Sequence, residues 1–181
     1  MSEIAENRRC ADKAMDIQHA DVLAVIAEVS AAFVGFSLAI GLLQPDQPGA
    51  ALRKQAMQSV AELGLIAAGG AVVILVLNTF AFDQAVTWRV GSLVTALVWG
   101  VTFFGATRRF SGTGKHWHRI EKFKYAGWLS ILGVLTLGLN GIMYTPYAGA
   151  VHVAGLFLAL VTSAFMFLVS TFIVGANDAA G

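Results

Sequence analysis

Five long apolar runs, divided by short polar segments, restrict the fold of this chain more than any other feature. They lie at about 22–43, 60–82, 87–107, 126–147 and 150–175 of 181 residues. An α-helix rises 1.5 Å per residue, so ~20 residues cross a hydrocarbon core of ~30 Å, and each run meets or approaches that length. Lipid offers peptide groups no hydrogen bonds, so a segment that crosses it must satisfy its N–H and C=O groups internally. The runs are therefore expected to form an all-α integral membrane helical bundle with five transmembrane helices, in one domain at 21–175. A polar N-terminal tail or short amphipathic helix, 1–20, precedes it, and a short C-terminal tail, 176–181, follows.

Composition agrees. Charged residues make up 13% of the chain, against roughly 25% in water-soluble domains. The sole cysteine, Cys10, excludes an intrachain disulfide. A cleaved signal sequence does not fit the first run. Before it stand Glu3, Glu6, Asp12, Asp16 and Asp21 against Arg8, Arg9 and Lys13, where a signal has a positive segment and a shorter apolar one.

Orientation follows from the placement of Lys and Arg. The segment 108–124 holds Arg108, Arg109, Lys115, Arg119, Lys122 and Lys124, and the connection before the second run adds Arg53 and Lys54. Only Arg8, Arg9, Lys13 and Arg89 fall on the other side. This asymmetry places the basic connections in the cytoplasm, the N-terminus outside and the C-terminus inside. Trp117, Phe123, Tyr125 and Trp128 at the basic face, and Trp88, Tyr144 and Tyr147 at the other, are expected as interfacial anchors. The partners implied are the lipid bilayer, with anionic lipid at 108–124, and a second copy or another membrane protein. Nucleic acid is not a partner this pattern fits.

Helices in lipid associate by close approach of small residues. Ala27, Ala31, Gly35 and Ala39 recur every fourth position in the first run; Gly64 and Ala68 in the second and Gly155 and Ala159 in the last form similar stripes. These are expected seams, within the chain or between chains.

Ionisable groups at membrane depth are expensive, ~2.5–3.5 kcal/mol on insertion scales, and mark functional candidates. Glu28, Asn78, Arg89, Asn140 and His152 come from five different runs, yet the alternation of helix direction puts all of them in one leaflet. An ion pair between Glu28 and Arg89 is expected there, with Asn78, Asn140 and His152 supplying hydrogen bonds. Glu62 stands apart in the other leaflet, within reach of Arg53, Lys54 or Arg108.

Other chemistry is poorly supported. The sequence His116-Trp117-His118 lacks the further ligands a metal site needs, and only His152 lies at a depth suited to a haem ligand. No phosphate-binding loop, zinc-protease or hydrolase motif occurs. No catalytic residue, metal or cofactor is therefore assigned.

The run I-A-E-V-S-A-A-F-V-G-F-S-L-A-I at 26–40 resembles the opening helix of small uncharacterised bacterial multipass membrane proteins. The resemblance covers one helix of five. It implies a bacterial inner membrane and no particular activity. Three functional classes follow. The first is a small oligomeric channel, transporter-like or sensor component built on the polar layer. The second is a structural or partner-binding subunit of a membrane complex. The third, a membrane enzyme using Glu28 or His152 as acid or base, has no motif behind it.

Overall fold

The computed structural model describes residues 2–43, 50–80, 82–112, 122–143 and 146–173. Residues 44–49, most of the basic connection with its His-Trp-His sequence, and the C-terminal tail lie outside the described residues. Five helices follow one another: α1 (Ser2–Leu43), α2 (Ala50–Thr79), α3 (Gln84–Gly112), α4 (Lys122–Ile142) and α5 (Ala148–Leu168). A π-helical turn, Val169–Ile173, continues α5. Each helix contains a stretch long and apolar enough to cross a membrane: Ala20–Gly41, Lys54–Thr79, Gln84–Arg109, Lys124–Ile142 and Ala148–Thr171. The chain is a multipass, all-α membrane protein.

The helix ends have local causes. The fourth apolar run reaches residue 147, but α4 stops at Ile142. Pro146 lacks an N–H and disfavours helical backbone in the residue before it, and Pro146 and Tyr147 turn the chain into α5. At the far end of α5, Ser170 and Thr171 both donate their hydroxyls to the Phe167 carbonyl, at 2.8 and 2.9 Å. Hydroxyls that compete for a helical carbonyl in this way loosen the regular ladder, and this is where the helix widens. The segment 2–19 does not break from the first span. The 42 residues of α1 form one helix, about 63 Å long at 1.5 Å per residue.

Short connections make α2 and α3, and α4 and α5, antiparallel neighbours. Their junctions and the start of the α1 span define one end of the bundle, here the hairpin end. The opposite, basic end carries Lys54, Arg108, Arg109 and Lys124. The helices α2 and α5 are central, with half of their apolar windows buried, against 22% for α1, the most peripheral helix. The seams rest on size complementarity. Trp99, 1% exposed, fills the space left by Gly133. A Cβ on Gly155 would lie 2.6 Å from Leu137, and one on Gly70 2.6 Å from Leu156. Between α5 and α2, Ser163 donates to the Val60 carbonyl at 2.9 Å.

Candidate functional site

Of the five groups expected in one leaflet, the structure joins Asn140 and His152, and it does so through a residue the sequence reading passed over, Ser92. The Asn140 Nδ2 donates to Ser92 Oγ at 2.9 Å and to the Ala148 carbonyl at 2.9 Å. Ser92 Oγ lies 2.9 Å from His152 Nδ1. Having accepted from Asn140, Ser92 can give its own proton to Nδ1, which leaves the histidine proton on Nε2. The imidazole packs beside Trp88, ring centres 5.7 Å apart, and beside the Gly70 backbone; among the described residues Nε2 has no partner within hydrogen-bond limits. Ser92 and His152 are 0% exposed and Asn140 3%. No solvent-reachable surface opens on this knot. Its chemistry is that of a dry clamp holding α3, α4 and α5 together. Trp88, expected as an interfacial anchor, is instead part of this core, 7% exposed, because the rotation of α3 points it inward at His152. Trp128, Tyr125 and Tyr147 remain on the surface.

Arg89 lies one turn from Ser92 but does not meet Glu28. Its Nε donates to the Gly141 carbonyl at 3.2 Å and its Nη2 to the Ile142 carbonyl at 3.1 Å. The last carbonyls of a helix lack intrahelical donors and carry the negative end of its dipole, so the guanidinium caps α4. Gly141 makes this possible: a Cβ there would lie 3.1 Å from the Arg89 carbonyl and clash with Leu93. Asn78 borders a small cleft with Trp88 and Leu23, near the knot.

Glu28 is exposed on α1, and among the described residues no cation pairs with it. Residues 100° apart along a helix explain why. Leu23, Ile26, Ser30 and Ser37 share the buried side of α1, and Val34 fills the space over Gly64 of α2. Glu28 lies opposite, on a face with Ala24, Ala32, Gly35 and Ala39, all exposed. The expected α1 stripe is thus divided. Ala27 packs at the edge of the core cluster around Leu23 and Trp88. Ala31 and Gly35 are exposed, and a Cβ on Gly35 would meet nothing within 4 Å. In the other stripes, Gly64 and Gly155 are close-approach sites, Ala159 is fully buried and Ala68 half-buried.

At the basic end, Glu62 is held by Arg109, a neighbour of the expected Arg108. Nη2 of Arg109 lies 2.7 and 2.6 Å from the two carboxylate oxygens, and Gln58 Nε2 donates to Oε1 at 3.0 Å. Arg108 points elsewhere, its guanidinium 4.3 Å from the centre of the Phe104 ring. Beside this pair opens a cavity of about 130 Å³ between α2, α3, α4 and α5, bordered by Glu62, Trp99, Phe103, Lys124, Gly127 and Met166 among others. Among the described residues, no cluster of His, Cys, Asp or Glu could hold a metal ion.

Comparison with protein families, curated proteins and solved structures finds no match to this chain.

Proposed function

We propose that the protein is an assembly subunit of the membrane, joined to a second copy of itself through the back of α1. The observation that carries this reading is Glu28, exposed on the side of α1 that faces away from α2. Counted along the span Ala20–Gly41, it sits ~4 Å from the middle. A carboxyl at that depth needs a hydrogen-bonding neighbour or water, and among the described residues of its own bundle none bonds to it. The same face carries Ala24, Ala32, Gly35 and Ala39, which let a second helix approach closely enough for polar contact. A carboxyl is donor and acceptor together when protonated, so the same face on another copy can answer it, in a symmetric pair.

The channel or transporter-like reading has less support. The layer it rested on is not assembled around Glu28 and Arg89. The Ser92–Asn140–His152 knot and the Glu62–Arg109 pair are separated by an apolar layer that includes Ile66, Ala96, Trp99 and Leu137.

Disulfide trapping tests the proposal. In a Cys10→Ser background, Ala32→Cys on the back of α1 should cross-link between copies in native membranes, and Ala71→Cys, buried in α2, should not. Adding Glu28→Leu should reduce the cross-linked fraction severalfold while the protein still inserts. A monomeric mass in mild detergent together with no Ala32→Cys cross-link in membranes would sink the reading.

A further inference from the structure

The cavity at the basic end takes no lining from α1, so what it binds can be argued independently of assembly. Its volume of about 130 Å³ is close to that of an engineered apolar cavity that takes up benzene, enough for a length of hydrocarbon. Leu63, Ile66, Phe103, Met166 and Trp99 give it an apolar interior. Four of the five hydroxyls on its wall are committed: Ser59, Thr102, Thr107 and Thr162 donate to carbonyls of their own helices at 3.2, 2.8, 2.8 and 2.7 Å. The Ser130 hydroxyl is uncommitted among the described residues, but one neutral hydroxyl does not compensate an anion for lost water at that depth. A second donor is also left over. Among the described residues the indole N–H of Trp99 has no acceptor although the residue is 1% exposed, and a buried donor without a partner is destabilising.

The border is different. Lys124 is exposed there and has no carboxylate partner among the described residues. Arg109 is paired with Glu62, which borders the same cavity. The apolar hole is thus bordered by one cation unpaired among the described residues, Lys124, and one carboxylate, Glu62, that holds a second cation, Arg109.

We propose that the cavity binds an anionic membrane amphiphile, its acyl chain inside against Trp99 and Phe103 and its phosphate or carboxylate on Lys124. Glu62 competes with the headgroup for Arg109, so the ion pair acts as a gate on affinity. Removal of the carboxylate frees the second cation for the ligand.

Trp99 itself reports occupancy. The full-length protein is placed in phosphatidylcholine nanodiscs with increasing amounts of phosphatidic acid or phosphatidylcholine brominated on the acyl chain. Bromine quenches indole on contact, and subtracting Trp99→Phe removes the exposed Trp128, 70% exposed, from the signal. Brominated phosphatidic acid should quench Trp99 at about fivefold lower mole fraction than brominated phosphatidylcholine, the effect of about one basic residue near a membrane surface. Lys124→Gln should abolish that preference, and Glu62→Gln should enlarge it severalfold. Gly127→Leu should remove Trp99 quenching by both lipids: the position borders the cavity, and an added Cβ there meets nothing within 4 Å. Equal quenching by the two lipids, a weakened preference in Glu62→Gln, or full quenching in a folded Gly127→Leu would each overturn the proposal. Displacement of the lipid by inorganic phosphate would also overturn it, since a headgroup anion alone would then suffice.

Discussion

The buried seams near the hairpin end and the cavity near the basic end are built from the same helices and differ in what particular glycines hold. Toward the hairpin end, Gly70, Gly91, Gly141 and Gly155 each leave a space that a neighbouring helix fills, with Leu156, Ile74, Leu93 and Leu137 respectively. The backbones come close, and Ser92, Asn140 and His152 bond to one another and, through Asn140, to the Ala148 carbonyl. Toward the basic end, Gly105 and Gly127 have no neighbour within reach of a Cβ, and the space around Gly127 belongs to the cavity. A glycine in a membrane helix is thus a seam only where a large residue stands opposite it. Where none does, as at Gly127, the same residue leaves space open.

The widest gap between the two regions should appear when both receive the same side chain. Gly155→Leu places a Cβ 2.6 Å from Leu137 Cδ2 and 2.7 Å from its Cγ, in a core where Leu137 is fully buried. Overpacking of this kind costs about 1–3 kcal/mol and at times more, and the α4–α5 seam should open. Gly127→Leu meets open space and gains helix propensity, so its stability should stay within about 0.5 kcal/mol of the parent. Unfolding midpoints in a graded series of denaturing detergent, read by far-ultraviolet circular dichroism, measure both. Equal losses in the two variants would break the comparison.

The next effect tests whether the hairpin-end knot is a structural clamp. Asn140→Ala removes both donors, to the buried Ser92 and to the half-buried Ala148. A loss of about 1–3 kcal/mol is expected. The coupling between Ser92→Ala and His152→Leu should be smaller, about 0.6 kcal/mol, the average for hydrogen bonds between membrane helices. A coupling of zero in that double-mutant cycle would mean that the 2.9 Å contact between Ser92 and His152 contributes geometry without stability.

How far the sequence foretold these regions depended on what a one-dimensional pattern can carry. The five spans were legible because the length of an apolar run sets whether it crosses lipid. The shared depth of Asn140 and His152 was legible because helix direction alternates. Ser92 was not. Serine is common in membrane helices, and its role arises from a rotation of α3 that no spacing records. The same limit explains Glu28. A stripe of small residues names a face without naming its neighbour, and the face of α1 that meets α2 is instead the one with Leu23, Ile26 and Ser30. The partner of Glu62 was missed by a single position, since Arg108 and Arg109 are 100° apart around α3. One turns to Phe104 and the other to the carboxylate.

That pair gives the smallest expected effect and the sharpest contrast with the dry knot. Arg109 is 39% and Glu62 21% exposed, so solvent screens their attraction despite the short contacts. A double-mutant cycle of Glu62→Gln and Arg109→Gln should return about 0.2–1 kcal/mol, in the range of exposed ion pairs. Raising the ionic strength from 0.01 to about 1 M shortens the screening length from roughly 30 to 3 Å, and the coupling should shrink with it. The coupling between Ser92 and His152 should not move with salt, because no ion reaches a fully buried contact. A salt-independent Glu62–Arg109 coupling of several kcal/mol would place the pair in a closed core, and the basic end could then no longer be the open region that admits a ligand.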